Sequence, residues 1–274
     1  MRFLSKIILY LLVIFCSCMF LMPILWMIST SLKTPEQIFS PDIKWIPNPV
    51  AFENYASAFR FVDLINAFKN TVFIALLNVI GVLFSCSLAA YAFSVLNWRF
   101  REPCFYLTLA TMMLPEMVTL VPQFVLFQKL GWYGTFLPLI APYFCGNAFY
   151  IFLLRQFFLT IPRELHEAAS IDGCSEFNIF KNIYLKLSVP ALSVVALFQF
   201  LFSWNDLMKP SVYLIDQNQY TLSLALQQFK AQHGGTEWAM LMAATTITIL
   251  PIVLIFFLAQ KTFVQGIAMT GIKE

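Results

Sequence analysis

The sequence predicts an all-α, polytopic membrane protein with six transmembrane helices. Three observations carry that reading. The chain is 60% hydrophobic and 11% charged, against about 45–50% and about 25% in soluble domains. Several apolar runs exceed the roughly 20 residues that span a bilayer core. Charged side chains gather in the segments between those runs. The net charge of +3 is small and gives no reason to propose a nucleic acid partner.

The predicted spans are residues 7–28, 71–96, 104–126, 136–158, 189–214 and 238–258. Arg2 and Lys6 precede the first run, as in a secretory leader. The run is too long for a leader's apolar region and no small-x-small cleavage site follows, so it reads as a retained span. The fifth is the least regular, with Asn205, Asp206, Lys209 and Pro210 in its second half. The six cysteines show no CxxC spacing and read as small polarizable packing residues. No two of the nine glycines stand four apart, so GxxxG packing is not available.

Orientation follows from the short loops. Arg2, Lys6, Arg99, Arg101, Arg155, Arg163, Lys181, Lys186, Lys261 and Lys273 fall on one side, whereas the hairpin 127–135 carries only Lys129. By the positive-inside bias both termini are cytoplasmic, and segments 32–70 and 216–237 lie outside. In the first of these, Pro41, Pro47 and Pro49 make an irregular start. Residues 52–68 then show near-helical apolar spacing and read as an interfacial helix.

The polar segment 155–188 has its own logic. Pro162 suits a first helical turn, and Glu164 and Glu167 sit where negative charge is favoured. Ala168 and Ala169 add helix propensity without bulk. Asp172-Gly173 is a stop, because glycine tolerates the left-handed conformation at a helix end. Ser175 can cap a second helix, with Phe177, Phe180, Ile183, Tyr184 and Leu187 as its apolar stripe. Two short helices joined by a glycine turn offer small residues for close approach and carboxylates for a basic partner.

The run Glu167-Ala168-Ala169-Ser170-Ile171-Asp172-Gly173, with Phe157 to Leu165 upstream and Ile183-Tyr184-Leu185 downstream, resembles the "EAA" signature of type I ABC importer permeases. Phe202-Ser203-Trp204-Asn205-Asp206 resembles the Trp-Asn segment of sugar permeases. Gln260 to Ile267 and the ending Thr270 to Glu274 resemble the tail of the carbohydrate-uptake branch, typified by the maltose transporter's inner-membrane subunit. The likeness runs over essentially the whole chain.

It implies a type I importer bundle, one permease domain over 1–274, with an extracytoplasmic segment 32–70, a coupling loop 159–188 and a cytoplasmic tail 261–274. In that family the loop sets a coupling helix into a cleft of the ATPase. Glu164, Glu167, Ala168, Ala169, Asp172 and Gly173 are the residues expected to dock it. Lys186 stands where the pattern usually has proline.

The implied partners are a homologous second permease, two ATPase subunits, an extracytoplasmic binding protein and the lipid membrane of a bacterium or archaeon. The chain itself needs no cofactor; ATP and Mg belong to the ATPase subunits. The implied cargo is a di- or oligosaccharide, with glycerol 3-phosphate or a glycerophosphodiester as the alternative.

Within the spans, Glu116, Gln123, Asn205 and Asp206 are polar, and Trp204 adds a flat apolar face. Ionisable groups at membrane depth mark cavities or pathways unless they only tie helices together. A sugar needs both hydrogen-bonding groups and flat apolar faces, so these five are candidate path residues. A proton-coupled secondary transporter using Glu116 or Asp206 is a competing reading, which leaves the polar loop unexplained. No GxxxxGK[ST] loop exists. His166-Glu167 fails as an HExxH site, because Ser170 occupies the second histidine position. His233 is the only other histidine, and no Ser/His/Asp set assembles, so the chain reads as a non-catalytic subunit.

Overall fold

The computed structural model describes the backbone of residues 2–230 and 236–271, and among these the side chains of residues 6–258 and 260. His233 and the last three residues of the predicted cytoplasmic tail therefore lie outside the described residues, as do all the side chains of that tail. Among the described residues every regular element is helical.

Four helices are long and apolar enough to cross a membrane: Lys6–Ser31, Leu64–Ser94, Leu137–Phe158 and Trp238–Leu258. Two bent pairs, Arg101–Met113 with Glu116–Lys129 and Glu176–Leu187 with Val189–Asn205, raise the number to six if each pair is one span. The third predicted span is thus not a straight rod. Its two halves meet at 100°. Leu114 is extended (φ −79, ψ 118) because the residue before a proline is pushed out of the helical region. Pro115 then opens the second helix. The fifth span begins at Val189, as predicted, but breaks after Asn205; Met208–Tyr213 is a separate turn of helix.

The chain divides into two compact units, Met1–Ile65 with Leu224–Ile252 and Asn66–Ser223 with Val253–Glu274. In the first, the segment after Ser31 folds back on the end of the first long helix. Asn54 Nδ2 donates to the Ser31 and Lys33 carbonyls at 2.9 Å each. The Ser31 and Tyr55 hydroxyls lie 2.8 Å apart. The predicted interfacial helix is shorter than expected: it spans Glu53–Phe61 and ends at extended Val62 (φ −136, ψ 140). Phe68 belongs to the next long helix, Leu64–Ser94.

The core of the second unit joins Val82, Cys86 and Tyr91 of Leu64–Ser94 to Leu154 and Phe158, to Ile179 and Tyr184, and to Val195. Among apolar helices in lipid, close packing and buried hydrogen bonds hold this together, because lipid chains compete equally for apolar surface. A Cβ added to Gly81 would sit 2.7 Å from the Phe144 ring, so glycine lets that ring lie against the helix. Asn78 Nδ2 and Gln199 Nε2 both donate to Ser203 Oγ, at 3.0 and 2.9 Å. Such bonds in membranes contribute about 0.6 kcal/mol on average.

Candidate functional site

The polar loop is a self-supporting hairpin of helices. Its first arm is Arg163–Ile171, with Pro162 just before it at the cap (φ −56, ψ 130) rather than inside the first turn. Glu164 lies in the first turn as expected. The arm closes with paired bonds from Gly173 N to the Ser170 carbonyl (3.1 Å) and from Cys174 N to the Ala169 carbonyl (3.0 Å), the Schellman arrangement. Gly173 has φ +78, and no atom lies within 4 Å of where a Cβ would be. Glycine is needed there for backbone conformation, not for space.

Glu164, Glu167, Ala168, Asp172 and Gly173 are exposed, while Ala169 is half-buried against the core. Leu165 and Ile171 are exposed on the same short helix, Ile171 by 86%. An arm with so much unpaired carboxylate and apolar surface has the composition of a contact face.

The second arm departs from its predicted stripe. Glu176–Ile179 is α-helical, Phe180–Tyr184 is a π turn, and Leu185–Leu187 resumes the α-helix. The wider turn moves the inward face to Ile179, Phe180 and Tyr184, leaving Phe177 and Leu187 exposed. Ser175 holds the cap position, but its hydroxyl makes no capping bond. Exposed Lys186 continues the helix, and the break falls instead at Ser188 (φ −97, ψ 11), ahead of Pro190.

Three contacts anchor this hairpin. Tyr91 OH donates to Glu176 Oε2 at 2.6 Å, His166 Nε2 lies 3.6 Å from Glu176 Oε1, and the Tyr184 ring meets Tyr91 edge-on at 5.0 Å. Nearby, Arg155 Nε donates to the Phe93 carbonyl at 3.0 Å and its guanidinium pairs with Glu102 at 3.3 Å. It also lies 4.1 Å from the Phe105 ring centroid.

The polar groups within the spans form a second constellation. A cavity of about 420 Å³ is lined by Glu116, Gln123, Tyr143, Asn147, Gln199 and Lys209 among others. A recess of about 320 Å³ takes in Glu116, Asn205, Asp206 and Lys209. The break at Pro115 puts Glu116 at a helix start, and the break after Asn205 turns Lys209 toward it. Lys209 Nζ pairs with Glu116 Oε1 at 2.8 Å and approaches Tyr143 OH at 3.3 Å. Asp206 Oδ1 accepts from Lys209 N at 3.2 Å, capping the short helix.

Four of the five candidate path residues are thus brought to the cavity and its recess. Trp204 is not. It is buried, stacked on Phe200 at 5.2 Å and edge-on to Phe68 at 5.8 Å, so its bulk packs helices instead of lining either space. Tyr143, Asn147 and Gln199 also line the cavity, although they are not among the residues expected there. Asn147 had a signal: an Asn after Gly inside an apolar run marks a helix restart. It caps Ala148–Phe158, accepting from Phe149 N and Tyr150 N. Gln199, a lone amide amid apolar residues, had a weaker one.

Residues 80–269 match the family described as "Binding-protein-dependent transport system inner membrane component". A probable ABC transporter permease protein, YurM of Bacillus subtilis (strain 168), is 35% identical over 253 residues, covering 92% of this chain and 83% of the relative. The arabinooligosaccharides transport system permease protein AraQ of Halalkalibacterium halodurans is 32% identical over 254 residues, covering 92% and 90%. In structure, the chain resembles one from a bacterial ABC transporter involved in the import of the acidic polysaccharide alginate. That match has a TM-score of 0.84 at 23% identity, covering 96% of this chain and 97% of the other. The chain is therefore a membrane-embedded member of the binding-protein-dependent transport system inner membrane component family, the permease subunits of ABC importers.

Proposed function

We propose that this chain, as one permease domain over 1–274, forms half of the translocation pathway for a di- or oligosaccharide. An extracytoplasmic binding protein delivers the cargo, a homologous permease supplies the other half, and two ATPase subunits bind ATP and Mg. Both termini face the cytoplasm of a bacterium or archaeon. The observation that carries the reading is the hairpin of helices at 159–188: Glu164, Glu167, Ala168, Asp172 and Gly173 are exposed on and just after an arm closed by the Gly173 turn, and the Tyr91–Glu176 bond holds the other arm.

The hairpin is the piece the ATPase grips. When ATP closes the ATPase dimer, the gripped arm moves as a rigid body, and the anchors at Tyr91 and Tyr184 pass that motion to the membrane helices. The chain's part is mechanical, with no bond-making chemistry of its own. A sugar in the pathway would meet Gln123, Asn147 and Gln199 as neutral hydrogen-bonding groups and Tyr143 as a flat ring.

A saccharide is favoured over a phosphate-bearing cargo because Lys209, the lysine lining the cavity, already pairs with Glu116 at 2.8 Å. A phosphate calls for uncompensated positive charge. The arabinooligosaccharide relative supports the same choice.

Reconstitution with the partner permease and ATPase tests the reading. The expected result is ATP hydrolysis stimulated by sugar-loaded binding protein, with the ATPase co-purifying. Transport that continues without the ATPase and stops when a proton gradient collapses would replace this mechanism with a proton-coupled one. Full activity and unchanged selectivity in both Glu116→Ala and Asp206→Asn would remove those residues from the path.

A further inference from the structure

A second cavity, far in sequence from the polar loop, lies within the unit Met1–Ile65 with Leu224–Ile252. It measures about 370 Å³ and is lined by Trp26, Thr30, Lys33, Asp42, Lys44 and Trp238 among others. Lys33 is 2% exposed, and its ammonium lies 3.8 Å from the Trp26 ring centroid. Among the described residues no carboxylate pairs with it, although Asp42 shares the cavity. A buried ammonium without a counter-charge is costly, and an aromatic face recovers only part of its lost hydration.

Thr30 is 7% exposed, and its Oγ1 has no hydrogen-bond partner. Helical threonines commonly return that bond to a carbonyl in the preceding turn. Two buried polar groups left unpaired on one cavity, a cation and a hydroxyl, describe a site for an anion that accepts hydrogen bonds.

Position selects the anion. Lys33 follows the apolar span Lys6–Ser31 by two residues, which sets it at headgroup depth. Trp26 and Trp45 meet edge-on at 5.1 Å at the same end, and tryptophan favours that depth. Lys44 adds a second positive charge to the lining. We propose that this cavity holds the phosphodiester headgroup of an anionic phospholipid, with the phosphate on Lys33 and Thr30 and the acyl chains along Trp26 and Trp238. The proposal does not depend on which sugar is carried.

The test uses the detergent-purified transporter complex, titrated with short-chain phosphatidylglycerol and followed by native mass spectrometry and tryptophan fluorescence. The complex is expected to retain the lipid, with Lys33→Gln weakening it by about tenfold or more, as expected for loss of a charge-assisted contact. Lys33→Arg should keep most of the affinity, and Thr30→Val should weaken it less than Lys33→Gln does. Inorganic phosphate at the same concentration should not displace the lipid. Equal lipid retention by Lys33→Gln and the unaltered complex would overturn the proposal. So would displacement by phosphate, which would make this a free-anion site. Unchanged lipid retention with lost stimulation by the binding protein would assign the cavity to a carboxylate of that protein instead. Sugar uptake is not a readout, so failure here is distinct from failure of the transport reading.

Discussion

The polar hairpin and the Glu116–Lys209 cavity solve opposite problems. The hairpin holds itself through its turn and its ring contacts and leaves three carboxylates outward: the Gly173 turn closes the first arm, Tyr91 and Tyr184 hold the second, and Glu164, Glu167 and Asp172 are left exposed. The cavity does the reverse. Its charged groups are partnered, Glu116 with Lys209 and Asp206 with the backbone at Lys209, and neutral Gln123, Asn147 and Gln199 share the lining. A surface proposed to meet a protein partner can leave charge in water at little cost. A site at membrane depth must neutralise it. The two regions therefore advertise function by different signs, exposed charge in one and paired charge in the other.

The comparison breaks most readily at Gly173. Gly173→Val puts a β-branched side chain at φ +78, a strain of about 1–3 kcal/mol. Membrane insertion should persist while ATPase co-purification and coupled uptake fall by about tenfold or more, taking that strain as lost from docking. Normal uptake by this variant would show that the turn is not part of the grip.

Next in size is the ion pair. Lys209→Met leaves Glu116 without its partner, and uptake should drop by about tenfold. Glu116→Gln combined with Lys209→Met should recover much of it, because the uncompensated charge is gone. Uptake in the double variant as poor as in the single one would assign Lys209 a direct part in binding cargo.

Tyr91→Phe removes one charge-assisted bond to Glu176, with a net value of about 1.5–3 kcal/mol in a buried setting and less where Glu176 is solvated. Uptake should fall several-fold with cargo affinity of the binding protein unchanged, and ATP hydrolysis should become less dependent on that protein. The smallest effect is expected from Trp204→Phe. It should cost about 0.5–3 kcal/mol in unfolding from detergent and leave sugar selectivity unaltered. A selectivity change would return Trp204 to the pathway.

Much of this was legible in residue order. The Lys6–Ser31 and Trp238–Leu258 spans are long apolar runs. Asp172-Gly173 reads as a helix stop because few residues other than glycine enter φ > 0 without strain. Pro115 and the Asn205-Asp206 pair announced irregular backbone. Residue order did not give the 100° bend at Pro115, since a proline in a span can kink a helix or end it, and neighbouring helices choose between them. Nor did it give the π turn at Phe180–Tyr184, which rotates the buried face away from Phe177 and Leu187.

Sequence alone determined the membrane class, the loop and its turn, because apolar run length, helix propensity and glycine's backbone freedom are local properties. Only the tertiary structure decided which polar groups meet. Glu116 and Lys209 stand 93 positions apart, and nothing local tells either that its partner lies at 2.8 Å. Trp204 makes the same point in reverse. Beside Asn205 and Asp206 it looked like part of a sugar site, but successive residues on a helix face different ways. Packing against Phe68 and Phe200 sent its ring into the core while its neighbours reached the recess.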